Sequence, residues 1–273
     1  MSYQRDWNGY NEALVKIGLI LSDLDFVASW SKELKTMNNG KEGGRYCYPE
    51  SFIKLLAVVH TYVLPYRQLE GFKRGLSLYV DGLKAPDYTT IWWRISKMKI
   101  DLASSVDLDK DVTIAVDSSG IKVSNRGELI HKKWRVQRGF IKVHIAVDIK
   151  TKQILAIEVT KENVGAGRMF DRLVKGSANI ANVKKVIGDG TYDSKVNFRL
   201  ASDMGIEPLL RVRKNASLKG GGCMPRKFAV VEQLGNDGWK NEKGYGYRWM
   251  VESAFSCLKR TFGEYICAVK CLI

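Results

Sequence analysis

The apolar pattern changes period near residue 112, and that change limits the folds open to the chain. Val112 to Asp117, Gly120 to Ser124, Phe140 to Asp148 and Gln153 to Thr160 are rich in Val and Ile and tend to alternate, as strands do. Further on, Phe170 to Ile180 reads as a helix, Val183 to Gly188 as a strand, Ser194 to Met204 as a helix and Pro208 to Val212 as a strand. Strands in succession followed by strand and helix in alternation predict an α/β fold, a mixed sheet flanked by helices. Between Asn215 and Tyr245 the periodicity fails, with glycine turns around a strand-like Phe228-Ala-Val-Val231. That stretch, approximately residues 215–244, reads as an insertion before the last helix.

Before the change the period is helical. A first periodic stretch covers Glu12 to Ile20, and Pro49 could open a helix through Val63 that buries Phe52, Leu55, Leu56 and Val59. Pro65 interrupts it. Tyr66 to Val80 presents Leu69, Phe72 and Leu76 inward and leaves Arg67, Lys73 and Arg74 to face outward. Thr89 to Met98 carries Trp92, Trp93, Arg94 and Lys97. Three short helices with tight links resemble a helix-turn-helix unit whose third member enters a DNA groove, although a helical dimerisation domain would show the same periodicity. The expected organisation is a small helical, DNA-binding domain over residues 1–105 and an α/β domain over 106–273.

Charge favours a polyanionic partner. Lysine and arginine number 44 against 29 acids, a net +15 spread along the whole chain, which points to nucleic acid. The five cysteines, at positions 47, 223, 257, 267 and 271, form no CxxC pair and suit a reducing compartment. With no run of 18 apolar residues and no signal peptide, a cytoplasmic location is expected.

Three acids sit at the ends of regular elements. Asp117 ends one apolar run, Asp189 ends another between Gly188 and Gly190, and Glu252 falls on a terminal helical stretch with Tyr245, Arg248 and Lys259 at helical offsets. Carboxylates converging from separate elements repel one another unless a hard cation lies between them. Mg²⁺ or Mn²⁺ takes such oxygen ligands, and paired ions about 4 Å apart can activate a hydroxyl and neutralise a leaving oxygen at phosphorus. Arg248 and Lys259 could hold phosphate oxygens beside the metal, the arginine bidentately and the lysine as a point charge. A solvated ladder of ion pairs on an exposed helix would have the same spacing.

Other polar residues are less decisive. Asp148 precedes Ile-Lys-Thr-Lys-Gln and reads as a turn acid; Asp193 could serve near a helix start. Lys142 and His144 share a strand face and could point toward the acids or a DNA strand. The segment His131-Lys132-Lys133-Trp134-Arg135 mixes cations with an aromatic ring, a composition that grips phosphate and stacks on bases, and Arg211, Arg213, Lys214, Lys219, Arg226 and Lys227 could extend that track.

The set Tyr245, Arg248, Glu252, Lys259 is similar to the Y-(2)-R-(3)-E-(6)-K signature of insertion-sequence transposases of the IS4 and IS5 type. Asp117-Ser-Ser-Gly-Ile-Lys-Val and Gly188-Asp189-Gly-Thr-Tyr-Asp-Ser resemble the other two catalytic segments of that family, with Ser119 where threonine is usual. Leu64 to Phe72 and Pro86-Asp-Tyr-Thr-Thr resemble the amino-terminal region of the IS5 group, and the likeness also runs through Lys142 to Asp148 and Arg213-Lys-Asn-Ala. The resemblance implies a ribonuclease H-like core with an insertion before the catalytic glutamate. It also implies Mg²⁺-dependent cleavage at element ends and transfer of the freed 3′ hydroxyl into target DNA. Asp117, Asp189 and Glu252 would hold metal; Tyr245, Arg248 and Lys259 would handle DNA, the tyrosine by stacking on a displaced base. Lys142, His144, Lys132, Lys133, Trp134 and Arg135 are further DNA candidates. Partners would be double-stranded DNA, as terminal inverted repeats and target, and a second copy of the chain when DNA is bound. A catalytically inactive mobile-element-derived DNA-binding protein and a nuclease that uses water alone are the alternatives.

Overall fold

The computed structural model describes residues 12, 15, 24–62, 64–80, 83–98, 111–122, 140–217, 222–236 and 238–264. The chain divides into two compact units, Met1–Ile100 and Asp101–Ile273.

In the first unit, four described helices surround one apolar core. They are α1 (Asp25–Asn38), α2 (Glu50–Tyr62), α3 (Tyr66–Leu76) and α4 (Tyr88–Ser96). The α2 sequence buries Phe52, Leu55, Leu56 and Val59, the stripe its spacing predicts, together with Ile53. Phe26 and Trp30 of α1 pack their rings on Phe52. Pro65 stands at the start of α3. Asp87 caps α4 by accepting from the Thr89 and Thr90 amides, both at 2.9 Å, which satisfies donors that no helical carbonyl can reach. Most of the stretch Glu12 to Ile20 lies outside the described residues.

Helix α3 departs from expectation at two positions. Phe72 is 44% exposed, whereas Lys73 is fully buried and its ammonium donates to the Pro86 carbonyl. A long aliphatic stem lets lysine fill an apolar position when its head finds an acceptor. Burial lowers the Lys73 pKa from 10.5 to about 8, against the pull of Glu70 and Asp87. Below pH 8 the amine is charged both folded and unfolded, and the cost of burying that charge is felt in full. Between pH 8 and 10.5 only the unfolded chain holds the proton, so stability rises with pH. Denaturant melts of the helical unit should show a gain of about 2 kcal/mol from pH 7.5 to 9.5. Lys73→Met should flatten that slope.

The second unit is built on a five-stranded sheet of order β3-β2-β1-β4-β5. Its strands are β1 (Asp111–Lys122), β2 (Phe140–Asp148), β3 (Ile154–Lys161), β4 (Asn182–Gly188) and β5 (Glu207–Leu210). β2 runs antiparallel to β1 and β3, while β4 is parallel to β1 and β5. This mixed sheet with flanking helices is the α/β arrangement that the strand and helix pattern predicts. The stretches 112–117 and 120–124, expected as separate strands, form one continuous β1 as far as Lys122, because pairing with β2 runs unbroken from Ile114 to Lys122; residues 123 and 124 lie outside the described residues.

Alternation along the strands separates two cores. Ile114, Val116, Val186 and Leu210 face the side carrying Phe170 and Val174 of α5 (Phe170–Ala178) and Phe198 of α6 (Lys195–Asp203). Ala115, Ile145, Ile187 and Leu209 face the opposite side, where Trp239, Tyr245, Val251 and Phe255 pack. After β5 the described chain forms α7 (Met224–Gly235), α8 (Trp239–Glu242), a 3₁₀ turn (Tyr245–Arg248) and α9 (Trp249–Phe262). Phe228 to Val231 is therefore helical rather than strand-like. A four-residue apolar run does not distinguish the two, and Pro225 in the first helical turn favours the helix. Asp148 does occupy a turn, accepting from the Thr151 amide at 3.0 Å and its hydroxyl at 2.6 Å.

Candidate active site

The parallel ladder between β1 and β4 brings two carboxylates together. Its last pair is Ala115 with Ile187, both on the α9 side of the sheet. Asp117 and Asp189 each lie two residues beyond that pair, so period-two alternation sends the Asp117 side chain to the same side. Asp117 is not at a strand end, as its sequence run suggests. β1 continues past it, paired with β2 alone, and the acid stands where β4 peels away.

Asp189 is held by the turn that follows. It caps a short 3₁₀ turn, Gly190–Tyr192, accepting from the Thr191 amide at 3.0 Å and from the Thr191 hydroxyl. The turn passes so close to Gly167 that a Cβ there would stand 2.8 Å from the Thr191 carbonyl oxygen. Gly188 is equally constrained, since a Cβ would meet Leu210 at 2.9 Å, Tyr192 at 3.0 Å and Val116 at 3.3 Å. All three neighbours belong to the packed core. Gly188→Ala should therefore lower stability by about 1–3 kcal/mol, read from a denaturant midpoint at unchanged slope.

A third acid comes from across the sheet face. Val251 and Phe255 bury one side of α9, leaving Glu252 exposed one turn from the helix start. Arg248, the last residue of the preceding 3₁₀ turn, lies between the acids, 3.6 Å from Asp117 Oδ2 and in direct contact with Glu252. Asp117, Glu252 and Lys259, with Ser118 and Ser119, line an open cleft of about 510 Å³. Burial pushes the Asp117 carboxyl above its ordinary range; Asp189 and Glu252 push the same way, while the Ser118 amide and Arg248 oppose them. The expected single helix from Tyr245 to Lys259 is thus a 3₁₀ turn followed by an α-helix. Glu252 and Lys259 share a helical face, whereas Arg248 reaches the acids from the turn.

Several expected DNA contacts are placed elsewhere. Tyr245 is buried, its ring 4.9 Å from that of Trp239 and its hydroxyl donating to the Gly188 carbonyl, so it cannot stack on a displaced base without leaving the core. Lys142 and His144 lie on the sheet face opposite Asp117, because Asp117 pairs with Ile145 and alternation turns their side chains away. His144 is fully buried against the Thr160 hydroxyl at 2.9 Å, and Lys142 donates to the Val164 carbonyl. Lys132, Lys133, Trp134 and Arg135 lie outside the described residues, as does Lys219.

Asp193 and Arg226 are also redirected. Ser194, not Asp193, caps α6. The Asp193 carboxylate, fully shielded from solvent, accepts from Arg226 Nε at 2.6 Å, Arg226 Nη2 at 2.9 Å and the Arg213 amide at 3.0 Å. This fork ties the turn after Asp189 to α7 and takes Arg226 out of the basic track. Trp249 is 51% exposed beside Arg248, as is Tyr247 at 53%. The signature spacing did not reveal these two rings.

Carboxylates are the donors that hard cations take, and the guanidinium bridging Asp117 and Glu252 marks a position that favours positive charge. By donor chemistry, Asp117, Asp189 and Glu252 fit a divalent ion. Among the described residues, no three His, Cys, Asp or Glu side chains are gathered closely enough to form a coordination shell. No described helix is long and apolar enough to cross a membrane.

Two family models, each described as a transposase DDE domain, match residues 109–270 and 16–126. Among solved structures, the Drosophila P element transposase strand transfer complex is 15% identical, with a TM-score of 0.34; the match covers 73% of this chain and 43% of that one. A simian T-cell lymphotropic virus intasome is 12% identical over 68% of this chain and 66% of that one, with a TM-score of 0.29. The Mos1 transposase paired-end complex is 12% identical over 82% of each chain, with a TM-score of 0.24. The chain thus spans less than half of the P element protein.

Proposed function

This chain belongs to the transposase DDE domain family, and we propose that within it the protein is an IS5-group insertion-sequence transposase that cleaves element ends and joins their 3′ hydroxyls to target DNA. The observation that carries this reading is the geometry at one sheet face: Asp117 on β1 and Asp189 just past β4, each two residues beyond the last pair of that ladder, with Glu252 linked to Asp117 through Arg248. In the proposed assignment, Asp117, Asp189 and Glu252 hold Mg²⁺ or Mn²⁺. When bound, the ion would polarise the attacking hydroxyl and neutralise charge on the leaving oxygen.

The protein's own groups supply position and charge. Arg248 can exchange its carboxylate partners for phosphate oxygens, which match its planar fork, and Lys259 adds a point charge from the same cleft. In the joining step the 3′ hydroxyl oxygen forms a new bond to a target phosphorus. The bond to the target's own 3′ oxygen breaks, and the proton lost by the nucleophile is balanced by one gained at the leaving group. The helical unit is assigned to DNA binding, the segment between β5 and α9 to the family insertion, and a homodimer to the DNA-bound state, since two ends must be joined.

The test is incubation of the full chain with labelled element-end DNA, a target duplex and Mg²⁺. Joined product is the expected result. Cleavage without joining would select a nuclease that uses water alone, and salt-sensitive DNA binding without cleavage would select an inactive, mobile-element-derived binding protein.

A further inference from the structure

The helical unit carries a second recess, remote in sequence from the three acids. It is a cleft of about 580 Å³ between the segment Arg45 to Tyr48 and helix α4, and Trp92, Trp93 and Arg94 form its helical wall. Its composition is aromatic and cationic together. The Arg94 guanidinium lies 4.6 Å from the Tyr46 ring centroid and donates to the Tyr48 carbonyl at 3.1 Å, so the cation is fixed before any ligand arrives. The Lys97 ammonium sits 4.1 Å from the Trp93 ring, and Lys41 lies 4.7 Å from the Tyr46 ring. Trp92 and Trp93 nevertheless remain 54% and 44% exposed, although indoles gain by being covered.

We infer that this cleft binds an unpaired stretch of single-stranded DNA, with a base stacked on the Trp92 and Trp93 rings and its phosphates beside Arg45, Arg94 and Lys97. Two features favour this occupant. The wall bears cations, and Asp87, at the start of the helical wall, is engaged in capping the Thr89 and Thr90 amides. That leaves arginine and lysine, not the helix terminus, to meet phosphate. Shape decides between strands and duplex. In a duplex the base faces are stacked on one another, and a protein reaches only edges and phosphates; an unpaired base presents its face to an aromatic ring. Exposed indoles in a recess match the second case.

The inference rests on the DNA-handling function proposed above and specifies which form of DNA the helical unit takes. Cys47, an exposed free thiol, lines the cleft and gives a local reporter; the exposed Cys257 of the other unit serves as the internal comparison. The full chain would be alkylated with and without short oligothymidine or a duplex of equal length, and Cys47 modification read by peptide mass spectrometry. Oligothymidine is expected to slow Cys47 alkylation at least about tenfold more than the duplex does. Replacing Trp92 and Trp93 together with alanine should weaken oligothymidine binding by about tenfold or more. Equal protection by duplex, no protection by either, or unchanged binding in the double variant would overturn the inference. Joining activity is scored separately. Joining without Cys47 protection removes the cleft and leaves the transposase reading; protection without joining does the reverse.

Discussion

Glu252→Gln is expected to reduce strand joining by at least about a thousandfold, equivalent to ~4 kcal/mol of barrier, while binding to element ends changes little. Glutamine preserves the shape of the side chain but removes the charge that faces Arg248 and, in the proposed assignment, the metal. Asp117→Asn and Asp189→Asn should behave alike, because in the proposed assignment each removes one of three carboxylates that hold the same ion. Joining within about tenfold of the parent, with DNA binding intact, would remove Glu252 from the proposed ligand set. Arg248 offers a complementary measurement. Its guanidinium now neutralises Asp117 and Glu252, so Arg248→Gln should tighten Mn²⁺ binding to the DNA-free protein by about tenfold in calorimetry while weakening joining.

The largest expected loss of stability is at Arg226. Changing it to methionine keeps much of the side-chain volume but strands the Asp193 carboxylate, which is shielded from solvent and would keep only the Arg213 amide among its present partners. Breaking one side of a buried ion pair costs about 3–5 kcal/mol, far more than an exposed pair of the same sequence spacing would. A denaturant melt should show the loss. Although burial alone would raise it, the Asp193 pKa is held below the ordinary carboxylate value by Arg226 and the Arg213 amide. A depressed carboxylate contributes stability that is present above its unfolded pKa and lost as pH falls through the folded one. The parent should therefore lose this contribution only below about pH 4, and Arg226→Met should weaken it at neutral pH as well.

Much of this arrangement is readable from local pattern. Period-two runs of Val and Ile locate the strands, and the α2 stripe gives its buried face apart from Ile53. The signature residues Glu252 and Lys259 reach the cleft because a rigid helix converts spacing into position, while Arg248 reaches the acids from the preceding turn. What escapes local pattern depends on partners far along the chain. Lys73 is buried because a carbonyl at Pro86 awaits it, and Asp193 finds Arg226 across 33 residues, not a helix start beside it. Strand register sends His144 and Lys142 to the face away from Asp117, which their shared parity cannot reveal without knowing which residue of β1 they oppose. Tyr245 carries the family spacing yet serves packing, since the 3₁₀ turn directs its ring inward beside Trp239.

The parallel ladder that ends at Ala115 and Ile187 fixes by backbone pairing where the two chain segments bearing the aspartates leave it, and the turn after Asp189 holds the second carboxylate. A slip of a single residue would send one carboxylate to the far side, leaving no half-formed intermediate arrangement for selection or heat to explore. Inactivation on warming should accordingly be abrupt, coinciding with melting of the central strands rather than preceding it.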